Sequence, residues 1–456
     1  MNATRTLGVA TLAGLVVYGT VAALQTSGSG LGVYWAAVLG GTAVLAVGWA
    51  AAARAPPRTA VTAIVVGAAL FRAVLVPTAP ALSDDLYRYL WDGRVQAANI
   101  DPYAHPPDDP ALAPLRDGAI HPEVNRPHLR TIYPGGAQLA FAASWRVGIR
   151  GPVALKALLA ALDLLAVGLL VGLLPRLGRR RHLAVAYAWN PLAVLAVGHS
   201  GHVDVLVVLA LLLATAVWQR DRPLAAGLLV GAAGAVKLFP LLVLPAFLRR
   251  PDGRFAWWLP LPAAAVVAVS YLPYLPSSGP SGARLLGILL HSYLGQEGYT
   301  SGRRFRVAFA LGVNGWWLTA AVAAAVLVAV LRSQRPAPTR ATWLLGAAIL
   351  LTTPYPWYAL PLVALAVAGG PGLAAAPRAA ELLWPLVGVG LEAAYVGARS
   401  ATGPASSTVQ RWVAAAAAAW IAIAVAAGNR RPAAGELHAV GDRSDGAGAL
   451  PPSSRS

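Results

Sequence analysis

The chain has 456 residues, of which 57% are hydrophobic and only 12% charged, with a net charge of +18 and a mean hydropathy of +0.60. Soluble domains carry about 25% charged residues, so a water-soluble globule is excluded, and the many apolar runs of about 20 residues match the thickness of a bilayer's hydrocarbon core. The basic excess does not indicate nucleic acid, because the arginines stand at the ends of apolar runs and not on one soluble face; without cysteine, neither disulfides nor thiolate metal sites contribute.

Three spans are predicted first, at 7–24, 31–53 and 60–76. The first resembles a secretory signal, but no small-residue cleavage site followed by a soluble domain appears, so it reads as an uncleaved span. Arg5, Arg54 and Arg58 flank one side of these runs, which places the amino terminus in the cytoplasm and Ser83 on the far side.

Residues 83–94 follow as Ser-Asp-Asp-Leu-Tyr-Arg-Tyr-Leu-Trp-Asp-Gly-Arg, with three of the chain's 18 acidic residues (Asp84, Asp85, Asp92) beside Arg88 and Arg94. On a helix Asp85, Arg88 and Asp92 share a face, with Asp84 as N-cap or first-turn carboxylate. Such a segment is either a capped interfacial helix or an active site at the membrane surface, where a carboxylate base sits beside cations that hold an anion. Prolines are dense in the polar loop 83–130, so only short helices and turns are expected there. Residues 131–149 are apolar enough to span, but crossing would strand Arg176, Arg179, Arg180 and Arg181 outside; an amphipathic helix lying in the interface is the preferred reading.

The remaining apolar runs alternate consistently, with spans at 183–197, 203–218, 255–275 and 307–331, short pairs at 224–236/238–248 and 341–353/357–368, and last spans at 382–397 and 412–427. The expected fold is an all-α polytopic membrane protein with about fourteen transmembrane helices and both termini cytoplasmic. Its predicted parts are a three-span segment (1–82), an extracytoplasmic catalytic loop with interfacial helices (83–151), central helices (152–275), a second external loop (276–306), C-terminal helices (307–428) and a disordered cytoplasmic tail (429–456).

Groups able to do chemistry collect on the predicted outer side, where ionisable residues at membrane depth are usually functional or paired. They include Arg126, Arg130, Tyr133, His291, Gln296, Glu297 and Arg306. His199, His202 and Asp204, in His-Ser-Gly-His-Val-Asp, can serve as substrate contacts, helix-end caps or metal ligands, though the spacing fits no standard zinc signature. Lys237, one of two lysines, is either a snorkelling interface residue or a point charge for phosphate. Arg303 and Arg304 can hold the same phosphate or lipid headgroups. Tyr355, Trp357 and Tyr358 suit an aromatic belt better than a sugar-stacking platform.

The order of these motifs resembles a family. The 83–94 run, Asn-Ile-Asp-Pro-Tyr at 99–103, Thr-Ile-Tyr-Pro-Gly-Gly-Ala-Gln at 131–138, Trp-Asn-Pro at 189–191, Gly-His-Val-Asp at 201–204 and Val-Lys-Leu-Phe-Pro at 236–240 are similar to bacterial membrane glycosyltransferases of the C superfamily. Within it they are most like the actinobacterial mannosyltransferases that use polyprenyl-phosphate-mannose. The resemblance covers about 60–245. It implies a cell-membrane enzyme that moves a sugar, mannose being expected, from a polyprenyl-phosphate donor to an extracytoplasmic glycan or glycolipid acceptor. The acidic residue after the preceding span, Asp84 or Asp85, is then the general base; many relatives carry Asp-Glu there, and the three leading spans are a further departure. Lys237, Arg88, Arg303 and Arg304 become candidates for the donor phosphate. Asp92, Arg94, Tyr133, His199, His202, Asp204, Tyr355, Trp357 and Tyr358 become candidates for the substrates.

Chemistry agrees with this reading. A carboxylate can take the proton of an attacking hydroxyl, cations stabilise a phosphate leaving group without an acid, and single displacement inverts the anomeric carbon. No cofactor is firmly implied; a divalent ion could help hold the phosphate, but no ligand set indicates one. The rival readings are a lipid or glycolipid transporter or flippase, which would need polar groups through the bilayer centre, and a scaffold or glycan polymerase.

Overall fold

The computed structural model describes residues 2–26, 30–250, 252–275, 287, 292–302, 304–305, 308, 313–352, 355–370 and 383–400. The expected span 412–427, the tail, most of the second external loop, and Arg303, Arg306 and His291 therefore lie outside the described residues. Among the described residues the regular elements are helices, apart from one isolated antiparallel bridge between Arg249 and Phe255.

The chain begins with α1 (Ala3–Thr26), α2 (Gly32–Ala52) and α3 (Pro57–Leu75), then α4 (Asp85–Ala97), α5 (Gly135–Arg146) and α6 (Pro152–Leu173). Proline opens α3 and α6 at a position whose N–H has no intrahelical acceptor anyway. After an interrupted segment come α7 (Asp204–Trp218), α8 (Pro223–Val236), α9 (Pro260–Ser270), α10 (Gly315–Arg332), α11 (Ala337–Thr352), α12 (Leu360–Gly369) and α13 (Leu383–Ser400). Five helices are long and apolar enough to cross a membrane, four within residues 3–177 and the fifth being α10; five shorter apolar helices accompany them. Among the described residues, five full-length helices and five shorter apolar ones bear out an all-helical membrane fold but do not reach the expected count of about fourteen spans.

Polarity is inverted relative to a soluble protein. Leu12, Val16, Leu39 and Leu165 are 60–69% exposed, whereas Arg72, Lys156 and Asp163 are at most 1% exposed. Apolar side chains lose nothing by facing lipid, while ionisable ones must find partners inside the bundle. The α5 helix has 12 residues, about 18 Å at 1.5 Å per residue, which is short of a roughly 30 Å hydrocarbon core. It packs against α4, with Tyr89 stacked on Phe141 at 4.7 Å. Gly93 permits this approach, because a Cβ there would stand 2.6 Å from the Phe141 carbonyl oxygen.

The expected span at 183–197 is not a regular helix. It comprises a 3-10 turn (Arg181–Ala184), one helical turn (Val185–Ala188), a break at Trp189-Asn190, a further turn (Pro191–Ala193) and a π turn (Val194–His199). Pro191 supplies no N–H and disfavours a helical residue before it. Asn190 caps the restart, its Oδ1 accepting from the Leu192 N–H at 3.0 Å, while its Nδ2 donates to the carbonyls of Ala186 and Pro385. The Ala188 carbonyl accepts from Arg72 Nη1 at 2.9 Å. Such backbone survives at membrane depth only where protein covers it, and every residue from Leu183 to Asp204 is buried.

Candidate active site

Helix α4 begins with an unusual allocation of polar groups. The Asp85 N–H donates to Ser83 Oγ at 3.4 Å, and the Asp84 carboxylate at the N-cap makes no capping bond. Asp84 is therefore free to face a cavity of about 300 Å³, which Asp85 also lines. Asp85 Oδ1 accepts from Asn125 Nδ2 at 2.7 Å, and its Oδ2 lies 3.7 Å from His202 Nδ1. Burial raises the Asp84 carboxyl above the ordinary carboxylate range; the Arg399 guanidinium pulls it partly back, and Asp85 and Glu123 push it up further.

The same walls carry Arg88, Arg126, Arg130, Tyr133, Lys237, Glu297, Tyr355, Trp357, Tyr358, Tyr395 and Arg399. Arg88 is committed to the protein: its Nε donates to Asp92 Oδ1 at 3.0 Å and its Nη2 to the Leu129 carbonyl. Lys237 donates to Asp204 Oδ2 at 2.8 Å, and its ammonium sits 4.4 Å from the centre of the Tyr358 ring. Arg304 pairs with Glu297 and lies over Tyr355 at 4.6 Å. The aromatic wall is layered: His202 stacks on Trp357 at 3.7 Å, and Trp357 on Tyr355 at 4.8 Å. Gly201 makes the turn that sets His202, with φ +69°, a conformation glycine adopts without strain.

Several expected residues stand off the cavity. Asp92 is buried between Arg88 and Gln138, whose Nε2 donates to Asp92 Oδ2 at 2.8 Å. Arg94 pairs with Asp117. His199 is engaged on both ring nitrogens, by the Tyr34 hydroxyl at 3.1 Å and Thr78 Oγ1 at 3.0 Å. His199 and His202 thus serve different neighbours, and among the described residues no group of three or more His, Asp or Glu side chains is arranged to hold a metal.

Sequence reasoning overlooked Asn125 and Arg399. Asn125 sits in an irregular loop with no local motif, and Arg399 ends a span that looks like many others. The buried Arg72–Asp163 pair was also missed, although an arginine and an aspartate inside apolar runs are a visible signal.

A family model described as alpha-(1→6)-mannopyranosyltransferase, N-terminal domain, matches residues 3–249. No curated protein and no solved structure matches the chain.

Proposed function

The chain belongs to the alpha-(1→6)-mannopyranosyltransferase family, and from that premise we propose that it transfers mannose from a polyprenyl-phosphate donor to the 6-hydroxyl of a glycan or glycolipid acceptor outside the cytoplasm. It is a membrane mannosyltransferase; the donor, the side and the steps below are our reading. The observation that carries it is one cavity lined by Asp84, Asp85, several guanidiniums and an aromatic wall, with Asp85 held by Asn125 and lying beside His202.

The acceptor oxygen attacks C1 of the mannose, the C1–O bond to phosphate breaks, and the hydroxyl proton passes to Asp84. Asp84 is the better base because burial raises its proton affinity and no helix cap occupies its lone pairs. Asp85, anchored by Asn125, orients the incoming hydroxyl. The leaving group is a lipid phosphate, whose growing charge is met by wall cations without a general acid. Single displacement inverts C1, so an α-linked product requires a β-linked donor. Trp357 and Tyr355 offer a flat apolar face for a sugar ring.

The test is transfer by purified protein in detergent from radiolabelled polyprenyl-phosphate-mannose to an α-mannoside, with the product linkage read by NMR. An α-1,6-linked product is expected, and Asp84→Asn should lower kcat by about 10²–10⁴-fold. Equal use of a nucleotide-linked mannose, or full turnover in Asp84→Asn, would overturn the reading.

A further inference from the structure

The cations on the cavity wall fall into two classes. Arg88 and Lys237 are each bound to a buried carboxylate, at 3.0 Å and 2.8 Å. Arg126, Arg130 and Arg399 line the same cavity and make no ion pair among the described residues. Arg126 reaches only neutral acceptors, the Gln296 carbonyl at 3.3 Å and the Tyr355 hydroxyl at 3.4 Å. Bonds that long to neutral groups yield readily to a charged oxygen.

Backbone placement ties this set to the proton-accepting end. Arg126 has φ +47°, a left-handed conformation that non-glycine residues seldom hold without a surrounding constraint. It directly follows Asn125, which grips Asp85. Arg399 comes from α13, outside the family-matched region, and lies over the ring of Tyr395 at 6.0 Å, close enough to Asp84 to act on its charge. An anion bound among the three guanidiniums would therefore share one cavity with both carboxylates.

We propose that Arg126, Arg130 and Arg399 form the cradle for the phosphate of the lipid-linked substrate, while Arg88 and Lys237 hold Asp92 and Asp204 in place. This rests on the transferase reading above and identifies where its donor headgroup sits. A planar guanidinium offers paired N–H donors that match phosphate oxygens, and it stays charged at any working pH. As C1–O cleaves, the phosphodiester monoanion becomes a phosphate monoester with a second negative charge, which the three cations stabilise without donating a proton. The active site is then composite: base and two arginines come from the family-matched part, the third arginine from α13.

The test measures binding of a polyprenyl monophosphate, the matching polyprenol and inorganic phosphate to full-length protein in detergent, by quenching of tryptophan fluorescence. It also measures the donor KM of each variant. Arg126→Gln, Arg130→Gln and Arg399→Gln are each expected to raise Kd and donor KM by about ten- to a hundredfold, the loss of one charge-assisted bond pair. Polyprenol binding should not move, and Arg94→Gln, which removes the same charge at Asp117 and off the cavity, should leave both constants at the wild-type value. Variants that bind polyprenyl monophosphate as the wild type does, or that lose polyprenol equally, overturn the cradle. Inorganic phosphate binding as tightly as the lipid would overturn the lipid-headgroup assignment; weak competition supports it. If wild-type protein binds the lipid phosphate through these arginines but transfers no mannose, the transferase reading fails and the cradle stands.

Discussion

Burial raises Asp84, and the Arg399 guanidinium opposes that rise across the cavity. A general base works ionised, so turnover must fall on the acid side as Asp84 takes up a proton, and that limb lies above the ordinary carboxylate range. Removing the opposing cation leaves burial and the neighbouring carboxylates unopposed. Arg399→Gln is therefore expected to move the acid limb of kcat/KM to higher pH, besides its effect on donor KM. A limb that stays in place, measured over pH 4–8 in about half-unit steps, would show that Asp84 is not the titrating base. Stability runs the other way. A folded-state pKa above the unfolded one means that folding gains as pH falls through the folded value and loses as pH rises through it. Asp84→Asn removes that loss, so its unfolding midpoint at neutral pH should equal or exceed that of the wild type while turnover collapses. A clear fall in the midpoint would mean that Asp84 has a structural role the geometry does not reveal.

At the scale of elements, what could be read from the sequence depended on whether the deciding contacts were local. The α4 helix, its Arg88–Asp92 pair four residues apart and the proline-broken loop after it follow from spacing alone. The interrupted segment did not, because 183–197 is uniformly apolar and Asn190-Pro191 is its one visible flaw. What completes that break is distant: Arg72 Nε binds Asp163 Oδ2 at 2.6 Å, Tyr187 donates to Asp163 Oδ1, and Arg72 also serves the orphaned Ala188 carbonyl. Arg399 escaped notice for the same reason, since 315 positions separate it from Asp84 and only tertiary packing brings them to one cavity. The buried pair gives a direct test of this account. Arg72→Met or Asp163→Leu alone leaves an uncompensated charge in the bundle and should cost about 3–5 kcal/mol. The double variant removes both charges and should unfold, in detergent, at a higher temperature than either single variant. Additive losses would mean that the two side chains act separately and that the pair does not hold the break.

Across the whole molecule, the arginine-bearing turns that join α2 to α3 and follow α6 lie at the end of the bundle opposite the cavity. Helix α1 ends beside the site, its Gln25 Nε2 donating to the Ala79 carbonyl near the start of α4. At the other end His182 packs on Trp49 beside the α2–α3 turn, Arg179 donates to the Val367 carbonyl, Arg250 pairs with Asp221, and Arg340 donates to the Arg249 carbonyl. The loops bearing Arg54, Arg58, Arg176 and Arg181 thus gather away from Asp84, the asymmetry that a positive-inside bias produces. This asymmetry supports the proposal that the cavity opens outside the cytoplasm, where a lipid-linked sugar would reach it from the outer leaflet. The chain has no cysteine, so a single introduced thiol reports one position without background. Ala113→Cys, exposed in the loop after α4, should react with a membrane-impermeant maleimide on intact cells. Arg180→Cys, exposed at the arginine-rich end, should react only after permeabilisation. The reverse pattern would put Asp84 and its cavity in the cytoplasm, where soluble nucleotide sugars are at hand, and would remove the reason for a lipid-borne donor.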